Sequence, residues 1–263
     1  MFFVDPHHRN PTLSLTGWLH VVLLAGALAG LLIDDRLVMG INPWIKPIKF
    51  CLSVTFYVWS LGWLLAYLPA TDTEKVRWLS LGVSLTMVIE IACIFLQAAR
   101  GTTSHFNITS PFNGFVFSLM GIAILVNTAL NLWALWLTWA HALSVGPAIA
   151  WGIRLGLLLF ILGAVEGGVM IRQMGHTVGA PDGGPGLPGL NWSIRHGDLR
   201  VPHFLGIHAL QALPALGWLL TRLGIAAAPA VSIQVMAAIG WGLLATFALV
   251  RALRATPVWA WGG

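Results

Sequence analysis

Seven apolar runs, each long enough to cross a bilayer as a helix, constrain the fold of this chain more than any other feature. A transmembrane helix needs about 20 consecutive, mostly apolar residues. Backbone polar groups in lipid must pair within their own segment, so such runs are predicted to be helices. The runs lie at about 13–33, 48–69, 77–98, 114–139, 148–171, 202–222 and 230–250. We therefore predict an all-α integral membrane protein, a seven-helix bundle in which residues 1–263 form a single polytopic domain.

The composition supports the same class. The chain is 57% hydrophobic and 9% charged, whereas soluble domains carry roughly 25% charged residues. The formal charge of +5 comes from basic residues scattered among loops rather than clustered. Nucleic acid is therefore not an expected partner, and the lipid bilayer is. The sequence leaves the oligomeric state open.

The basic residues also indicate topology. The beginning, MFFVDPHHRN, lacks the basic start of a cleavable signal peptide, so we expect the first span to be retained. Basic residues favour the cytoplasmic side of a membrane. One side carries Arg36, Lys46, Lys49, Arg100, Arg172, Arg195, Arg200, Arg251 and Arg254, and the other carries Arg9, Lys75, Arg77, Arg154 and Arg222. We expect the N-terminus outside and the C-terminus in the cytoplasm, in a bacterial inner membrane.

Three unusual polar stretches are predicted to face one compartment. They are 42–50 (NPWIKPIKF), 97–107 (QAARGTTSHFN) and 172–211, which lie around the first, third and fifth connections between spans. Successive spans alternate in direction, so these odd-numbered connections share a side. The functional site is expected there.

The connection between the fifth and sixth spans is rich in glycine and proline. Four of the nine histidines lie within 176–211: His176, His196, His203 and His208. The run GAPDGGPGLPG is typical of turns and lacks the lysine and hydroxyl residue of a phosphate-binding loop. A flexible linker is one interpretation. The charged residues that follow favour an ordered loop that acts as a lid.

Polar residues inside the spans mark candidate chemistry, because ionisable groups in a bilayer are costly. Glu90 lies about 12 Å from the polar end of its span and Glu166 about 8 Å, at a helical rise of about 1.5 Å per residue. His208 is expected at a depth similar to that of Glu166. A shallow pocket is predicted to join Lys49, Glu90, Gln97, Glu166, His208 and Gln211, covered by His105, His203 and the loop.

These residue types suit metal or acid–base chemistry. Imidazoles and carboxylates bind first-row transition metals, and haem iron takes an axial histidine. The predicted metal ligands are Glu90, Glu166, His105, His203 and His208. The predicted catalytic residues are Glu90, Glu166, His208 and Arg200, with Arg195 or Arg200 holding an anionic substrate. We place His105, His203, Gln97, Gln211 and Lys49 around an unidentified transition metal ion or haem.

Three classes of function remain open. The first is a metal- or haem-dependent membrane enzyme, such as an oxidoreductase, acting on a lipid, a quinone or another apolar molecule. The second is a proton-coupled transporter or channel, and the third is a non-catalytic membrane subunit. The central geometric prediction is that His208 lies near Glu90 and Glu166, with His105 close by.

Small and amide side chains predict how the spans pack. Gly152, Gly156, Gly163 and Gly167 allow close approach of a neighbouring helix. Asn127 and Asn131 share one helix face and are expected to form interhelical hydrogen bonds.

Overall fold

The computed structural model describes residues 10–258 and confirms the seven-helix membrane fold. The helices are α1 (Pro11–Ile33), α2 (Ile45–Leu65), α3 (Thr73–Ala99), α4 (Pro111–Ala140), α5 (Pro147–Gln173), α6 (Arg200–Arg222) and α7 (Ala227–Leu253). A short 3-10 helix, Ala70–Asp72, precedes α3. Two short strands, β1 (Thr177–Val178) and β2 (Gly197–Asp198), lie between α5 and α6. All seven α-helices are long and apolar enough to cross a membrane.

The helix ends differ from the predicted ones by a few residues because polar caps and prolines lie outside the apolar runs. The Asn10 side chain accepts a hydrogen bond from the amide of Leu13, and Pro11 occupies the first turn of α1. Ser110 does the same for the amide of Asn113, so α4 begins three residues before the predicted start. These are the usual N-terminal signals of a helix.

The second span is shifted toward the N-terminus relative to the prediction. It begins at Ile45 and includes Pro47 in its first turn, where a missing amide proton costs nothing. It ends at Leu65, since the amides of Tyr67 and Leu68 form tight turns with Leu64 and Leu65.

The chain forms two compact units divided between Ser144 and Val145. The N-terminal unit contains α1 to α4, and the C-terminal unit contains α5 to α7 with the two strands. The expectation of a single polytopic domain remains a prediction.

Hydrogen bonds between helices hold the N-terminal unit together. At the start of α1, the Asn10 side chain donates to the hydroxyl of Ser80 in α3 at 2.8 Å. In the middle of α2, the Tyr57 hydroxyl donates to Oδ1 of Asn127 at 3.1 Å and accepts from Nδ2 of Asn131 at 2.6 Å, both in α4. The predicted interhelical role of the two asparagines is therefore confirmed.

Glycines bring α5 and α6 into backbone contact in the C-terminal unit. A Cβ atom added to Gly206 would lie 2.5 Å from Cα of Gly163, so the two chains touch at this point. Gly152 and Gly156 likewise face the backbone of α6. The close helix approach predicted for these glycines is confirmed.

A proline interrupts α6 near its middle, and α7 supports it there. Pro214 has no amide proton, so one hydrogen bond of the helix is missing. The fully buried side chain of Gln234 in α7 donates to the carbonyl of Leu213 at 2.7 Å. This bond links the two helices beside the proline.

The α5–α6 loop, residues 174–199, is folded. Met174 adopts the left-handed conformation, with φ of 56°, and ends α5. β1 and β2 then pair in antiparallel fashion, and Gly186 forms an isolated bridge with Ser193. The predicted ordered loop is confirmed, and its role as a lid remains a prediction.

Candidate functional site

A buried carboxylate, an imidazole and an ammonium group meet in the N-terminal unit. Oε1 of Glu90, on α3, lies 3.5 Å from Nε2 of His105 in the α3–α4 loop. Nδ1 of the same imidazole lies 3.0 Å from Nζ of Lys46, in the first turn of α2. The Glu90 side chain is 2% exposed. We call Glu90, His105 and Lys46 the carboxylate–imidazole site.

The α3–α4 loop is shaped by Asn107, which is buried. Its amide group donates to the hydroxyl of Thr102 and to the carbonyl of Thr103, each at 2.9 Å. Its Oδ1 accepts from the amide and the hydroxyl of Thr109. The chain reverses beside it through Phe106, whose φ is 54°. These local bonds hold His105 at the end of the helix bundle.

The α1–α2 connection, which precedes Lys46, is shaped by Asp34. Its carboxylate accepts from the guanidinium of Arg36 and from Nε1 of Trp44, at 2.8 Å for the indole. Hydrogen bonds from Arg36 and then from Trp44 hold the pKa of Asp34 well below its usual range. Arg36 also donates to the carbonyl of Ala99 at 3.1 Å, which ties this connection to the end of α3.

Lysine chemistry determines which nitrogen of His105 accepts a hydrogen bond. An ammonium group has donors only, so Nδ1 facing Lys46 acts as an acceptor. The proton of the neutral imidazole then lies on Nε2 and points toward Glu90. The Ser104 hydroxyl, 3.2 Å from Nδ1, is a second donor on the lysine side. The arrangement is therefore polarised from the lysine toward the carboxylate.

One carboxylate oxygen of Glu90 lacks a hydrogen bond. Its Oε2 is buried and has no hydrogen-bond partner among residues 10–258. A buried acceptor without a partner requires an explanation, since such groups are rare.

Two other predicted residues of this unit are Gln97 and Lys49. Gln97 is fully buried and donates to Oδ1 of Asn113 at 3.1 Å, while Arg100 donates to the same oxygen at 2.7 Å. Gln97 thus belongs to a network at the end of α3. Lys49 is half-buried on α2.

Sequence reasoning missed Lys46 as a site residue. It lies between Pro43 and Pro47, within one of the three polar stretches that are predicted to face one compartment. Lys46 and His105 are 59 positions apart in the sequence, so no local spacing pattern connects them. The available signal was the unusual density of lysine and proline in 42–50.

A second carboxylate–imidazole pair lies in the C-terminal unit. Nδ1 of His203 is 3.6 Å from Oε2 of Glu166 and 2.8 Å from the carbonyl of Gly163. A carbonyl only accepts, so the Nδ1 proton is directed to Gly163. Both oxygens of Glu166 are buried and have no hydrogen-bond partner among the described residues.

His208 contacts aromatic groups of its own unit. Its ring centroid lies 4.1 Å from that of Phe204, which in turn lies 5.3 Å from the ring of Trp192. Gln211 lies three residues further along the same helix, and its Oε1 is buried without a hydrogen-bond partner among residues 10–258. The predicted proximity of His208 to Glu90 would join the two units and remains a prediction.

Arg200 stabilises the α5–α6 loop. Its guanidinium donates to both oxygens of Asp198, at 2.9 and 2.6 Å, and to the carbonyl of Asn191. Asp198 also accepts from the amide of Ser193. Because the carboxylate is buried, these donors neutralise a charge that would otherwise be costly.

Asp182 organises the other end of the loop. It accepts from the amide and Nδ1 of His176, the latter at 2.7 Å, and from the amide of Thr177. Burial acts to raise the pKa of Asp182, but the hydrogen bonds from His176 and Thr177 hold it well below its usual range.

Within residues 10–258, no three His, Cys, Asp or Glu side chains are grouped to hold a metal ion. Glu90 with His105, and Glu166 with His203, each supply a pair of such groups. The transition metal ion and the haem remain predictions.

No protein-family model matches this chain, and no curated protein or solved structure is significantly similar to it.

Proposed function

We propose that this protein is a membrane-embedded enzyme that uses the carboxylate–imidazole site for acid–base chemistry on an apolar or lipid-like substrate. The observation that carries the proposal is the unpartnered Oε2 of Glu90, buried inside a membrane span beside a polarised histidine. A carboxylate at this depth is costly and is typical of a functional group.

Each residue has a distinct part in this proposal. Glu90 takes a proton from the substrate, or returns one to it, through Oε2. His105 stabilises the charged form of Glu90 through Nε2–H, and Lys46 positions that proton by donating to Nδ1. The 3.5 Å separation of Glu90 from His105 is longer than a hydrogen bond, and such contacts often tighten when substrate binds.

The cofactor and substrate expected from the sequence extend this proposal. A transition metal ion or haem would add redox chemistry, and a quinone or lipid would reach the site laterally from the bilayer. Elemental analysis and an absorption spectrum of the purified protein test the cofactor directly. We further propose a bacterial inner membrane, with the N-terminus outside and the C-terminus in the cytoplasm.

The experiment for the enzymatic proposal compares the wild type with Glu90→Gln in lipid nanodiscs. Each protein is incubated with a polar lipid extract and, separately, with quinones, and the products are analysed by mass spectrometry. We expect a product that forms with the wild type and falls by at least about 100-fold in the variant, the lower range for a general acid–base group. Glu74→Gln, at the start of α3, is the matched control. Equal product formation by wild type and Glu90→Gln contradicts the proposal.

Proton-coupled transport is the second candidate, and buried polar atoms at several depths of the N-terminal unit favour it. Ser14 Oγ, His20 Nε2 and Asn131 Oδ1 are buried and have no hydrogen-bond partner among the described residues, as is the case for Glu90 Oε2. Thr16 also donates to Ser84 at 2.8 Å. Buried polar atoms of this kind commonly bind internal water.

Proteoliposomes distinguish this candidate from the enzyme. A pH-sensitive dye trapped inside reports proton entry under an imposed gradient. Transport predicts proton flux in the wild type that both Glu90→Gln and His20→Phe abolish. Flux equal to that of protein-free liposomes removes this candidate and leaves the enzymatic proposal unaffected.

A further inference from the structure

The α5–α6 loop lines a half-open cavity of about 360 Å³. Small-molecule sites generally occupy about 300–1,000 Å³, so the cavity has room for a small ligand or a lipid headgroup. Its polar lining is Thr177, Asp182, Asn191, Ser193, Arg195, His196 and Arg200. Short glycine- and proline-rich turns form the rest of the wall, which leaves backbone groups accessible.

Arg195 is an arginine of this cavity whose charge is not paired within the described chain. Its side chain is exposed and has no hydrogen-bond or ion-pair partner among residues 10–258. Arg200, the other arginine, is bound to Asp198. Arg195 therefore has donors available for a ligand, and a guanidinium binds phosphate and carboxylate oxygens in a fork geometry.

The acidic lining residue does not compete for Arg195. Asp182 already accepts from the amides of His176 and Thr177 and from Nδ1 of His176. No hydrogen bond or ion pair joins it to Arg195 in the described chain. His196 also lines the cavity and adds a further polar group.

Aromatic side chains connect the loop with the membrane-facing surface of α6. Trp192 packs edge-on against Phe204 at 5.3 Å between ring centroids, and Phe204 is 41% exposed. Tryptophan at a membrane boundary commonly contacts the headgroup region. The polar cavity, the aromatic pair and the apolar helix suit a ligand that has a polar head and an acyl chain.

We propose that the loop cavity binds a phosphate group, held by Arg195, and that its ligand is either an anionic phospholipid headgroup or a free phosphate ester. The inference is independent of the carboxylate–imidazole site. It depends only on residues of the C-terminal unit.

Binding is measured by native mass spectrometry on the purified full-length protein in detergent. The probes are dioctanoyl phosphatidylglycerol, dioctanoyl phosphatidylcholine and glycerol 3-phosphate. We expect one phosphatidylglycerol per chain and about tenfold weaker binding in Arg195→Gln, as for the loss of a charge-assisted hydrogen bond. Arg195→Lys, which keeps the charge without the fork geometry, should bind with intermediate affinity. Competition by glycerol 3-phosphate assigns the site to soluble phosphate esters, and binding of the lipid without such competition assigns it to headgroups.

Arg172→Gln is the matched control, because Arg172 is an exposed arginine at the end of α5 that does not line the cavity. Its binding should equal that of the wild type. Equal loss in both variants would mean diffuse surface attraction and would overturn the proposal. Unchanged binding in Arg195→Gln would overturn it as well. Hydrogen exchange of residues 176–200 in Arg195→Gln checks that the loop keeps its fold, which the exposed position of Arg195 predicts.

Discussion

Nζ of Lys46, in the first turn of α2, lies 3.0 Å from Nδ1 of His105, in the α3–α4 loop. This contact determines which ring nitrogen of His105 carries the proton. Because the ammonium group donates to Nδ1, the protonated nitrogen is Nε2, which faces Glu90. The lysine is therefore a positioning residue for the histidine.

Replacing Lys46 with methionine should release this constraint. The Ser104 hydroxyl that remains beside Nδ1 can accept a hydrogen bond as well as donate one. The proton of His105 is therefore expected to become distributed between both ring nitrogens, and the ¹⁵N shifts of the imidazole should change. Lys75→Met is the control, since Lys75 pairs with Asp72 through a 2.6 Å contact. Identical His105 spectra in the wild type and Lys46→Met would show that the contact does not set the tautomer.

Replacing Asp198 with asparagine should loosen the α5–α6 loop. The buried carboxylate accepts from the amide of Ser193 and from the guanidinium of Arg200, and the variant removes its charge. We expect the free energy of opening the loop to fall by about 2–3 kcal/mol, as for a disrupted charged hydrogen-bond pair. Hydrogen exchange of residues 176–200 measures this loss. The exposed Asp35→Asn should leave the exchange unchanged, and protection retained in Asp198→Asn would contradict the prediction.

The loop should also lose stability in acid through Asp182. The pKa of this carboxyl in the folded loop lies below its ordinary value of 3.8. Its contribution is therefore fully present above about pH 4 and is lost as the pH falls through the folded-state pKa. The amide proton shifts of His176 and Thr177, both bonded to Asp182, report the loss. Asp182→Asn should abolish this acid transition, whereas an unchanged transition in the variant would assign it to another group.

Replacing Gly206 with alanine should separate α5 from α6. The added Cβ would lie 2.5 Å from Cα of Gly163, so the helix backbones must move apart. We expect a loss of about 1–3 kcal/mol in stability, as for overpacked interiors. Gly168→Ala is the matched control, because nothing lies within 4 Å of its added Cβ. Denaturation followed by helical circular dichroism compares the two, and equal stability would argue against the backbone contact.

The Glu90 and His105 pair shows how far sequence reasoning extends. A lone carboxylate inside a span and a histidine in the next connection are both visible as unusual residues, and the structure brings them together. Lys46 is not visible in the same way, since its approach to His105 depends on how Asp34 and Asn107 fold their respective connections. Hydropathy contains no information about those local hydrogen bonds.

The partner of Glu166 illustrates a second limit. The sequence places both His203 and His208 in the pocket with Glu166, and the structure brings His203 to 3.6 Å from it within this unit. The close approach at Gly163 and Gly206 accounts for this contact, because it brings the first turn of α6 against the carbonyl of Gly163. Small residues indicated that the helices would be close, and the rotation of one helix against the other decided which side chains meet.

The bond from Gln234 to the carbonyl beside Pro214 has a consequence for biogenesis. α6 has the lowest mean hydropathy of the seven described spans, 1.4, and it contains two prolines and two histidines. Such a segment partitions poorly into lipid by itself, since each polar group adds to the cost of insertion. α7 has a mean hydropathy of 1.9 and supplies the donor that α6 uses beside Pro214. We expect the two segments to leave the translocon as a hairpin, with α7 completing the insertion of α6.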